Sequence, residues 1–322
     1  YKGVNGFTSG NEIYVGQGNH NMASADIDDD GKDEVMSATL CLEVNDADKL
    51  MPKWCKFKEH GDAYHLGNYD PTTDGMEYFV VHEDSRSEPN EYGTVLDYGM
   101  SVYNAKTGEE LFHEGALRDT GRGMMANIGA GGYYQFWSSD NAPRVAMGGT
   151  DFEYAKWGKP SVNFRIFWDG DLYDELLDGI KIDGWNGSGM SRLFTASDCS
   201  SVNGSKANPA LQADLFGDWR EEVVYPLSTN DGLRVYTTNI ETKYKIKTLM
   251  SDRMYRNSVA SEQASYNQPP NISMYLSNDT VYGNITNVSL TAPIRKIYIK
   301  GQSLDLRGMT LTGTFDTGLS AE

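Results

Sequence analysis

The sequence predicts an all-β fold, a β-propeller of which this chain contains only part, and two observations support the prediction. An acidic, glycine-containing loop followed by a short strand recurs along the 322 residues, and the segments between its copies have the pattern of strands joined by turns. The composition agrees, because 34 glycines and 20 tyrosines suit many short strands and tight turns. Repeats of roughly 40–60 residues built from strands and turns are typical of propeller blades.

The repeated unit occurs in three full copies and one weakened copy. The full copies are DIDDDGKDEVM (26–36), NYDPTTDGMEYFVV (68–81) and DLFGDWREEVVY (214–225), and the weakened copy is NIGAGGYYQFW (127–137). Further strands are predicted in SVYNAKTGEELF (101–112), SVNFRIFWDGD (161–171) and LRVYTTNI (233–240), with turns at Thr107-Gly108 and Asp169-Gly170. A short helix is considered only for DLYDELL (171–177).

Each acidic loop has the residues to hold a structural calcium ion. In the first loop Asp26, Asp28 and Asp30 alternate, Gly31 permits a sharp turn, and Glu34 follows as a closing carboxylate, which together supply the oxygens that Ca²⁺ requires. The other candidate ligands are Asn68, Asp70, Asp74 and Glu77 in the second loop, and Asp214, Asp218 and Glu222 in the third. The weakened loop has Asn127 and Gln135 in place of acids, so no metal is expected there. The alternative is a solvated acidic turn.

The bulk composition limits the partners and leaves the redox compartment open. A net charge of −18 argues against nucleic acid, whose phosphates need a basic surface. No run of about 18 apolar residues predicts a membrane span. The chain begins without a basic or apolar leader, so any signal peptide is expected to be removed or not included. Cys41 and Cys55 could pair across a short loop, but three cysteines form no disulfide framework.

Two of the five histidines mark a candidate metal site. His20 and His60 precede the first two acidic loops, Asp62 follows His60 closely, and Glu83 ends the strand YFVVHE. All four would lie at equivalent ends of adjacent strands, where propellers collect their functional loops. Two imidazoles and two carboxylates suit a divalent cation, whereas the alternative for either histidine alone is a hydrogen-bonded residue that fills a turn.

Two cations and one tyrosine are candidates for contact with an anionic sugar. Lys206 lies in NGSKANP (203–209) and Arg122 in DTGRGM (119–124), both in glycine-containing turns of a strongly acidic chain. The alternative for each is an ordinary surface cation. Tyr266 precedes a Pro-Pro turn that fixes its direction, so its ring could stack on a sugar.

A series of motifs runs along most of the chain, between about residues 16 and 282: NHNMASADIDDDGKDE, HGDAYHLGNYDP, VVHE, GRGM, NFRIFWDGD, NGSK, ADLFGDWREEV, RVYTT and YNQPP. In these motifs and their order the chain resembles polysaccharide lyase family 11, the rhamnogalacturonan lyases. The resemblance implies an eight-bladed propeller with numerous calcium ions, secreted or displayed at a bacterial cell surface. It implies that the active-site calcium is held by His20, His60, Asp62 and Glu83. The substrate contacts that it implies are Arg122, Asn203, Gly204, Lys206 and Tyr266.

The chain is expected to divide into 1–282, a partial calcium-binding propeller, and 283–322, a linker and the start of a second module. The stretch IYIKGQSLDLRGMTLTGTFDTG resembles the opening strands of bacterial immunoglobulin-like modules. The family's N-terminal blades are absent, so their half of the propeller is a candidate partner and the chain alone could be inactive. Ser87 to Asp97 has the character of an insertion near the cleft, which leaves endo or exo action open.

The reaction that the resemblance implies is β-elimination at rhamnose-(1→4)-galacturonic acid linkages of the acidic plant cell-wall polysaccharide rhamnogalacturonan I. Calcium on the uronate carboxylate stabilises the charge that develops when the C5 proton leaves. Lys206 is expected to be the general base and Arg122 to hold the uronate, with Asn203 and Tyr266 positioning the neighbouring rhamnose. The alternatives are a lyase for another uronate polymer and a non-catalytic, calcium-stabilised propeller that only binds carbohydrate.

Overall fold

The computed structural model describes residues 14, 16–45, 49–141, 143–145, 159–264, 267–277, 284–316, 318 and 320–321. Almost all the regular structure in these ranges consists of short antiparallel strands in consecutive sheets. The predicted all-β fold is therefore confirmed, and the arrangement is that of a partial β-propeller.

The first two sheets have four strands each, and every strand pairs with the next one in the chain. Sheet 1 consists of β1 Ala23–Ala25, β2 Glu34–Ser37, β3 Leu40–Val44 and β4 Leu50–Cys55. Sheet 2 consists of β5 Gly61–Gly67, β6 Glu77–His82, β7 Gly99–Asn104 and β8 Glu110–Gly115. β5 and β6 are buried along their whole length, which shows that sheet 2 is covered on both faces.

Three further sheets follow in the same manner. Sheet 3 consists of β9 Gly123–Ala126, β10 Gln135–Ser138 and β11 Arg144–Val145. Sheet 4 consists of β12 Phe164–Ile166, β13 Glu175–Asp178, β14 Lys181–Trp185 and β15 Met190–Thr195. Sheet 5 consists of β16 Leu211–Ala213, β17 Glu222–Pro226 and β18 Leu233–Tyr236.

The remaining elements are short helices and a separate C-terminal sheet. The helices are two 3₁₀ turns, Gly204–Lys206 and Leu249–Ser251, and the helix α1, Arg253–Ser261. α1 was not predicted, although Asp252 is a typical N-cap and its carboxylate accepts a hydrogen bond from the backbone of Met254. The C-terminal sheet consists of β19 Ile285–Thr291, β20 Thr310–Phe315 and β21 Ser320–Ala321. Its assignment to an immunoglobulin-like module stays a prediction.

Neighbouring sheets pack face to face through buried apolar side chains. Met36 of sheet 1 shares a core cluster with Tyr64 and Tyr78 of sheet 2. The same holds at the other junctions, which involve Phe79 and Phe136 (sheets 2 and 3), Trp137 and Leu176 (sheets 3 and 4), and Leu177 and Val223 (sheets 4 and 5). Burial between consecutive sheets is the main stabilising contribution in such a fold, because each short strand has little core of its own.

The acidic loops have a structural role that the sequence pattern did not reveal. In all five sheets the first residue of the second strand accepts a hydrogen bond from a backbone N–H of the loop seven residues earlier. These acceptors are Glu34, Glu77, Gln135, Glu175 and Glu222. Gln135 also donates its amide hydrogens to the carbonyls of Gly131 and Tyr133, which close the loop that lacks acids.

Two possibilities that the sequence left open are not found in the structure. The segment considered as a short helix, 171–177, forms a loop and then the start of β13, in which Leu176 and Leu177 are both buried between sheets. Tertiary burial therefore outweighs the helical spacing of its apolar residues. Cys41 and Cys55 are free thiols on adjacent strands, and their register pairs Cys41 with Trp54 rather than with each other.

A buried carboxyl group links sheets 4 and 5 to α1 and makes stability depend on pH. Glu221 accepts hydrogen bonds from Phe167 N, Gln212 Nε2 and the hydroxyl of Tyr255. Burial raises the pKa of Glu221 to about 7. The pKa of Glu221 is higher in the folded state than in the unfolded state. Its contribution to the unfolding free energy is therefore fully present below the unfolded-state pKa near 4.5 and is lost as pH rises through about 7.

We expect wild type to lose on the order of 2 kcal/mol of unfolding free energy between pH 5 and pH 8, relative to Glu221→Gln. The variant keeps the size of the side chain and cannot ionise, so the other titrating groups cancel in the comparison. Urea unfolding of both proteins at the two pH values measures the difference. Parallel pH profiles for the two proteins would contradict this role of Glu221.

Candidate active site

Strand pairing places the four predicted active-site ligands at one end of sheets 1 and 2. Gly61 pairs with His82, so the residues just outside that pair, His60 and Glu83, lie side by side, and Glu83 N donates to His60 O at 3.3 Å. An isolated parallel bridge between Asn19 and Gly61 brings the segment before β1 to the same position. Gly61 allows this close approach, because a Cβ there would lie 3.0 Å from the carbonyl oxygen of Val81 and the neighbouring strand would have to shift.

The side chains of the four residues converge. His60 Nδ1 lies 2.5 Å from Glu83 Oε2. His20 Nε2 lies 3.9 Å from the same oxygen and 3.7 Å from Asp62 Oδ1. The two imidazole rings meet edge to face with their centroids 4.7 Å apart. Ligand atoms of His20, His60 and Glu83 lie within 4.8 Å of one another, a spacing at which one cation can touch all three.

Lys206 reaches this cluster from a loop 144 residues away in sequence. Its Nζ lies 2.6 Å from Asp62 Oδ2 and donates a second hydrogen bond to Gly121 O at 3.2 Å. The 3₁₀ turn that carries it begins at Asn203 and Gly204, which both have left-handed backbone angles, with φ of 56° and 35°. The paired backbones of Val202 and Asn208 close the loop, so the direction of Lys206 is fixed.

Asp62 is the electrostatic centre of the site. Its side chain is 1% exposed, and burial raises its pKa to about 6 although the hydrogen bond from Lys206 acts in the opposite direction. Oδ1 is buried and has no hydrogen-bond donor among the described residues. A buried carboxylate oxygen without a donor is costly, and a cation bound at Oδ1 would remove that cost.

The protonation preferences of the other three ligands depend on their neighbours. Burial, and then the proximity of His60, lower the pKa of His20. The hydrogen bond between His60 and Glu83 raises the pKa of His60 and lowers that of Glu83. These shifts favour the neutral, metal-binding form of His20 and a proton on His60 that a cation would have to displace.

This donor set fits a divalent cation. Ligand atoms of His20, His60 and Glu83 lie close enough to share one cation. Asp62 is not in that group, but its buried, donor-free Oδ1 lies 3.7 Å from His20 Nε2, at the edge of the same space. Imidazole is a usual ligand of Zn²⁺ and related ions, and carboxylates suit Ca²⁺, Mg²⁺ and Mn²⁺. Four protein ligands leave coordination positions for water or a substrate carboxylate.

Arg122 lies beside the cluster, but its guanidinium is already bound to the backbone. Nη1 donates to Asn267 O at 3.0 Å and Nη2 to Asn163 O at 3.1 Å. Arg122 is 5% exposed. Its positive charge acts against the rise in the pKa of Asp62 that burial causes. The predicted contact between Arg122 and a uronate remains a prediction. Tyr266 lies outside the described residues.

Comparison with known families identifies the family of the chain. A sequence model described as the C-terminal domain of rhamnogalacturonan lyase family 11 matches residues 4–284. The chain belongs to rhamnogalacturonan lyase family 11. The family assignment made from the motifs is thereby confirmed.

Two relatives within family 11 come from Bacillus subtilis strain 168. The chain is 42% identical over 275 residues to rhamnogalacturonan endolyase YesW, which is 83% of this chain and 41% of YesW. It is 39% identical over 285 residues to rhamnogalacturonan exolyase YesX, which is 83% of this chain and 44% of YesX. Similarity to an endolyase and to an exolyase leaves the mode of action open. The chain spans less than half of the length of these relatives.

Solved structures of family 11 agree with the fold. The crystal structure of YesW aligns with a TM-score of 0.72 at 40% identity, covering 84% of this chain and 44% of that chain. The rhamnogalacturonan lyase of Bacillus licheniformis aligns with a TM-score of 0.73 at 40% identity, covering 85% and 44%. Among the described residues, no helix of this family 11 chain is long and apolar enough to cross a membrane.

The first acidic loop gathers three of its four predicted ligands. Asp26, Asp28 and Glu34 bring ligand atoms within 4.8 Å of one another. Asp30 is not in this group, and its Oδ1 accepts a hydrogen bond from the backbone of Lys32. Asp28 Oδ2 forms an ion pair with Lys53 at 2.8 Å, which offsets part of the negative charge. The calcium ion predicted here remains a prediction.

The second and third acidic loops direct their carboxylates largely to protein donors. Glu77 accepts from Tyr69 N, Asp70 N and Thr73, and Asp70 accepts from Thr72. Asp214 accepts four hydrogen bonds, Glu222 accepts three, and Asp218 pairs with Arg220. Within the described part of the chain, neither loop brings together three carboxylates, and Asn68 and Asp74 add no third acid. Calcium in these loops stays a prediction.

A further acidic cluster lies in a loop that the sequence analysis treated differently. Asp169, Asp171 and Glu175 bring ligand atoms within 4.8 Å of one another at the start of β13. Their spacing was hidden by the helical interpretation of 171–177. The signal that could have revealed them is the acid at the start of the second strand, which is common to four of the five sheets.

A buried hydrogen-bond chain runs from sheet 2 to the predicted insertion. His82 Nε2 lies 2.8 Å from Ser101 Oγ, which lies 2.9 Å from His113 Nδ1, and His113 Nε2 lies 2.8 Å from Asp97. These residue types occur in serine hydrolases, but Ser101 is fully buried and no polymer can reach it. These hydrogen bonds therefore anchor the segment that follows Glu83 and do not form a second active site.

Proposed function

We propose that the protein containing this chain is a divalent-cation-dependent rhamnogalacturonan lyase that cleaves rhamnose-(1→4)-galacturonic acid linkages of rhamnogalacturonan I by β-elimination, with calcium as the cation. The supporting observation is the 2.6 Å contact between Lys206 and Asp62 beside the ligand atoms of His20, His60 and Glu83. Because the substrate is a large polymer of the plant cell wall, we infer a secreted or cell-surface location.

The proposed chemistry separates binding of the cation from proton transfer. His20, His60, Asp62 and Glu83 would hold the cation, which when bound offsets the negative charge of a uronate carboxylate and makes its C5 proton more acidic. Lys206 Nζ, fixed by Asp62 and Gly121, would accept that proton and pass it to solvent. The bond between C4 and the leaving oxygen would then break as a double bond forms between C4 and C5, and the leaving oxygen would take a proton from solvent to become the anomeric hydroxyl of the rhamnose.

Other residues would position the sugar. Arg122 braces the site by joining β9 to the backbones of Asn163 and Asn267, and its charge adds to the field that attracts a uronate. Asn203 and Gly204 are exposed at the turn that carries Lys206, where they can contact the neighbouring rhamnose. Tyr266 is proposed to stack on the same sugar.

Chelation of the cation is expected to abolish elimination. The protein in its full natural length is incubated with rhamnogalacturonan I, and ultraviolet absorbance reports the unsaturated uronate product. A chelator should reduce the rate to background, and added Ca²⁺ should restore it. Separate additions of Mn²⁺ and Zn²⁺ test whether the imidazole ligands select a different ion.

Three outcomes would change the proposal. Absorbance that persists with chelator would remove the cation from the mechanism. Product from another uronate polymer but not from rhamnogalacturonan I would favour a related lyase. Absence of product from every uronate polymer, together with retained binding, would favour a carbohydrate-binding propeller. The same assay on this chain alone tests whether the remaining part of the protein is required.

A further inference from the structure

An open cavity lies beside the candidate active site, at the ends of sheets 3 and 4. Its volume is about 520 Å³, which is sufficient for a sugar residue. Its charged lining residues are Lys159, Asp178, Lys181, Asp183 and Arg192. We call this space the outer cavity.

The charges of the outer cavity do not cancel. Arg192 forms a two-pronged ion pair with Asp183, with Nε–Oδ1 at 2.5 Å and Nη2–Oδ2 at 3.1 Å. Asp178 accepts a hydrogen bond from Asn163. Lys159 Nζ donates a hydrogen bond to Ser139 O at 2.6 Å, and among the described residues no carboxylate lies within 4.0 Å of the ammonium group of Lys159 or Lys181. The lining has three cations and two carboxylates, so it carries a net positive charge in a chain whose net charge is −18.

The outer cavity is joined to the candidate active site by direct contacts. Asn163, at its rim, accepts a hydrogen bond from Arg122 through its backbone oxygen, and its side-chain amide lies 3.5 Å from Ala207 O, next to Lys206. Ser139, on the opposite wall, donates its backbone N–H to Arg122 O at 2.8 Å. The outer cavity and the candidate active site are therefore adjacent, with Arg122 between them.

We propose that the outer cavity is a subsite for a second uronate of the same polymer, with Lys159 and Lys181 binding its carboxylate. The inference rests on the proposed function, because it assumes an acidic polysaccharide in the neighbouring site. A backbone in which uronates alternate with neutral sugars presents carboxylates at regular intervals, and lysine binds such groups as a mobile point charge. Binding there would hold the polymer without touching the bond that is cleaved.

The test compares a long and a short substrate. The double variant Lys159→Met/Lys181→Met is measured in the full-length protein, with Lys247→Met, an exposed lysine outside the cavity, as the matched control. For the polymer, KM should rise about tenfold with kcat unchanged. This is the change expected when two weak, exposed ion pairs with the substrate are lost. For the shortest oligosaccharide that the protein cleaves, both constants should equal those of wild type. Thermal unfolding confirms that the variants are folded, and the single variants should show intermediate values of KM.

The outcomes separate this inference from the proposed function. An unchanged KM for the polymer, as expected if the cavity binds only small free anions, would overturn the subsite. An equal change for the long and short substrates would also overturn it. If wild type shows no elimination at all, the proposed function fails. Calorimetric binding of rhamnogalacturonan I to wild type and to the double variant then decides on the subsite, since equal affinities would reject it.

Discussion

Lys206→Ala is expected to lower kcat for elimination by about a thousandfold, within the range that a general base contributes. The physical reason is the position of Lys206. Among the described residues it is the nitrogen base that pairs with Asp62 without being a proposed ligand of the cation. Initial rates of absorbance increase on rhamnogalacturonan I measure the effect. Bound cation, measured on the same samples, should stay close to the wild-type amount.

Lys206→Arg is the matched control for that variant. Arginine keeps the positive charge and can pair with Asp62, but it does not lose its proton at working pH. It should therefore restore the environment of Asp62 without restoring the rate. Wild-type rates in the alanine variant would remove Lys206 from the role of base, and full activity in the arginine variant would reduce its role to electrostatics.

Asp62→Asn is expected to lower the affinity of the active-site cation by about 100-fold or more, with the elimination rate falling in parallel at low cation concentration. The substitution keeps the shape of a buried side chain but removes the charge that faces His20 and pairs with Lys206. Titration calorimetry and the dependence of the rate on cation concentration measure the two effects.

The control for Asp62→Asn is Asp231→Asn, because Asp231 is an exposed acid in the turn between β17 and β18 and is not a predicted cation ligand. That variant should leave the affinity and the rate unchanged. An Asp62→Asn protein that binds the cation with wild-type affinity would show that the buried carboxylate is not a ligand.

The parts of the site that could be predicted from the sequence are those fixed by local strand pairing. His60 and Glu83 flank the pair Gly61–His82, so any antiparallel hairpin in this register brings them together. The proximity of His20 follows from the repeated position of the loops at one end of the sheets. By contrast, the contact between Lys206 and Asp62 crosses 144 residues and depends on how successive sheets pack. The sequence did not predict this contact, and a role for Lys206 near the cation was expected chiefly through the family resemblance.

The parts that could not be predicted depend on backbone groups supplied by distant segments. The spacing around Arg122 gives no sign that the carbonyls of Asn163 and Asn267 take both ends of its guanidinium. The spacing of the acids likewise did not distinguish two kinds of loop. In one kind the carboxylates cluster, and in the other they accept hydrogen bonds from backbone N–H groups, as Asp214 does. The structure of 171–177 has the same origin, since burial between two sheets decided it.

A crystal structure of the full-length protein with Ca²⁺ and an uncleaved galacturonate-containing oligosaccharide tests the central claim most directly. The account predicts one ion in contact with His20, His60, Asp62 and Glu83, with carboxylate oxygens at about 2.3–2.6 Å. It also predicts Lys206 Nζ at about 3–3.5 Å from C5 of the uronate bound to that ion. An ion bound elsewhere, or a uronate C5 beyond the reach of Lys206 while the four ligands hold the ion, would contradict it.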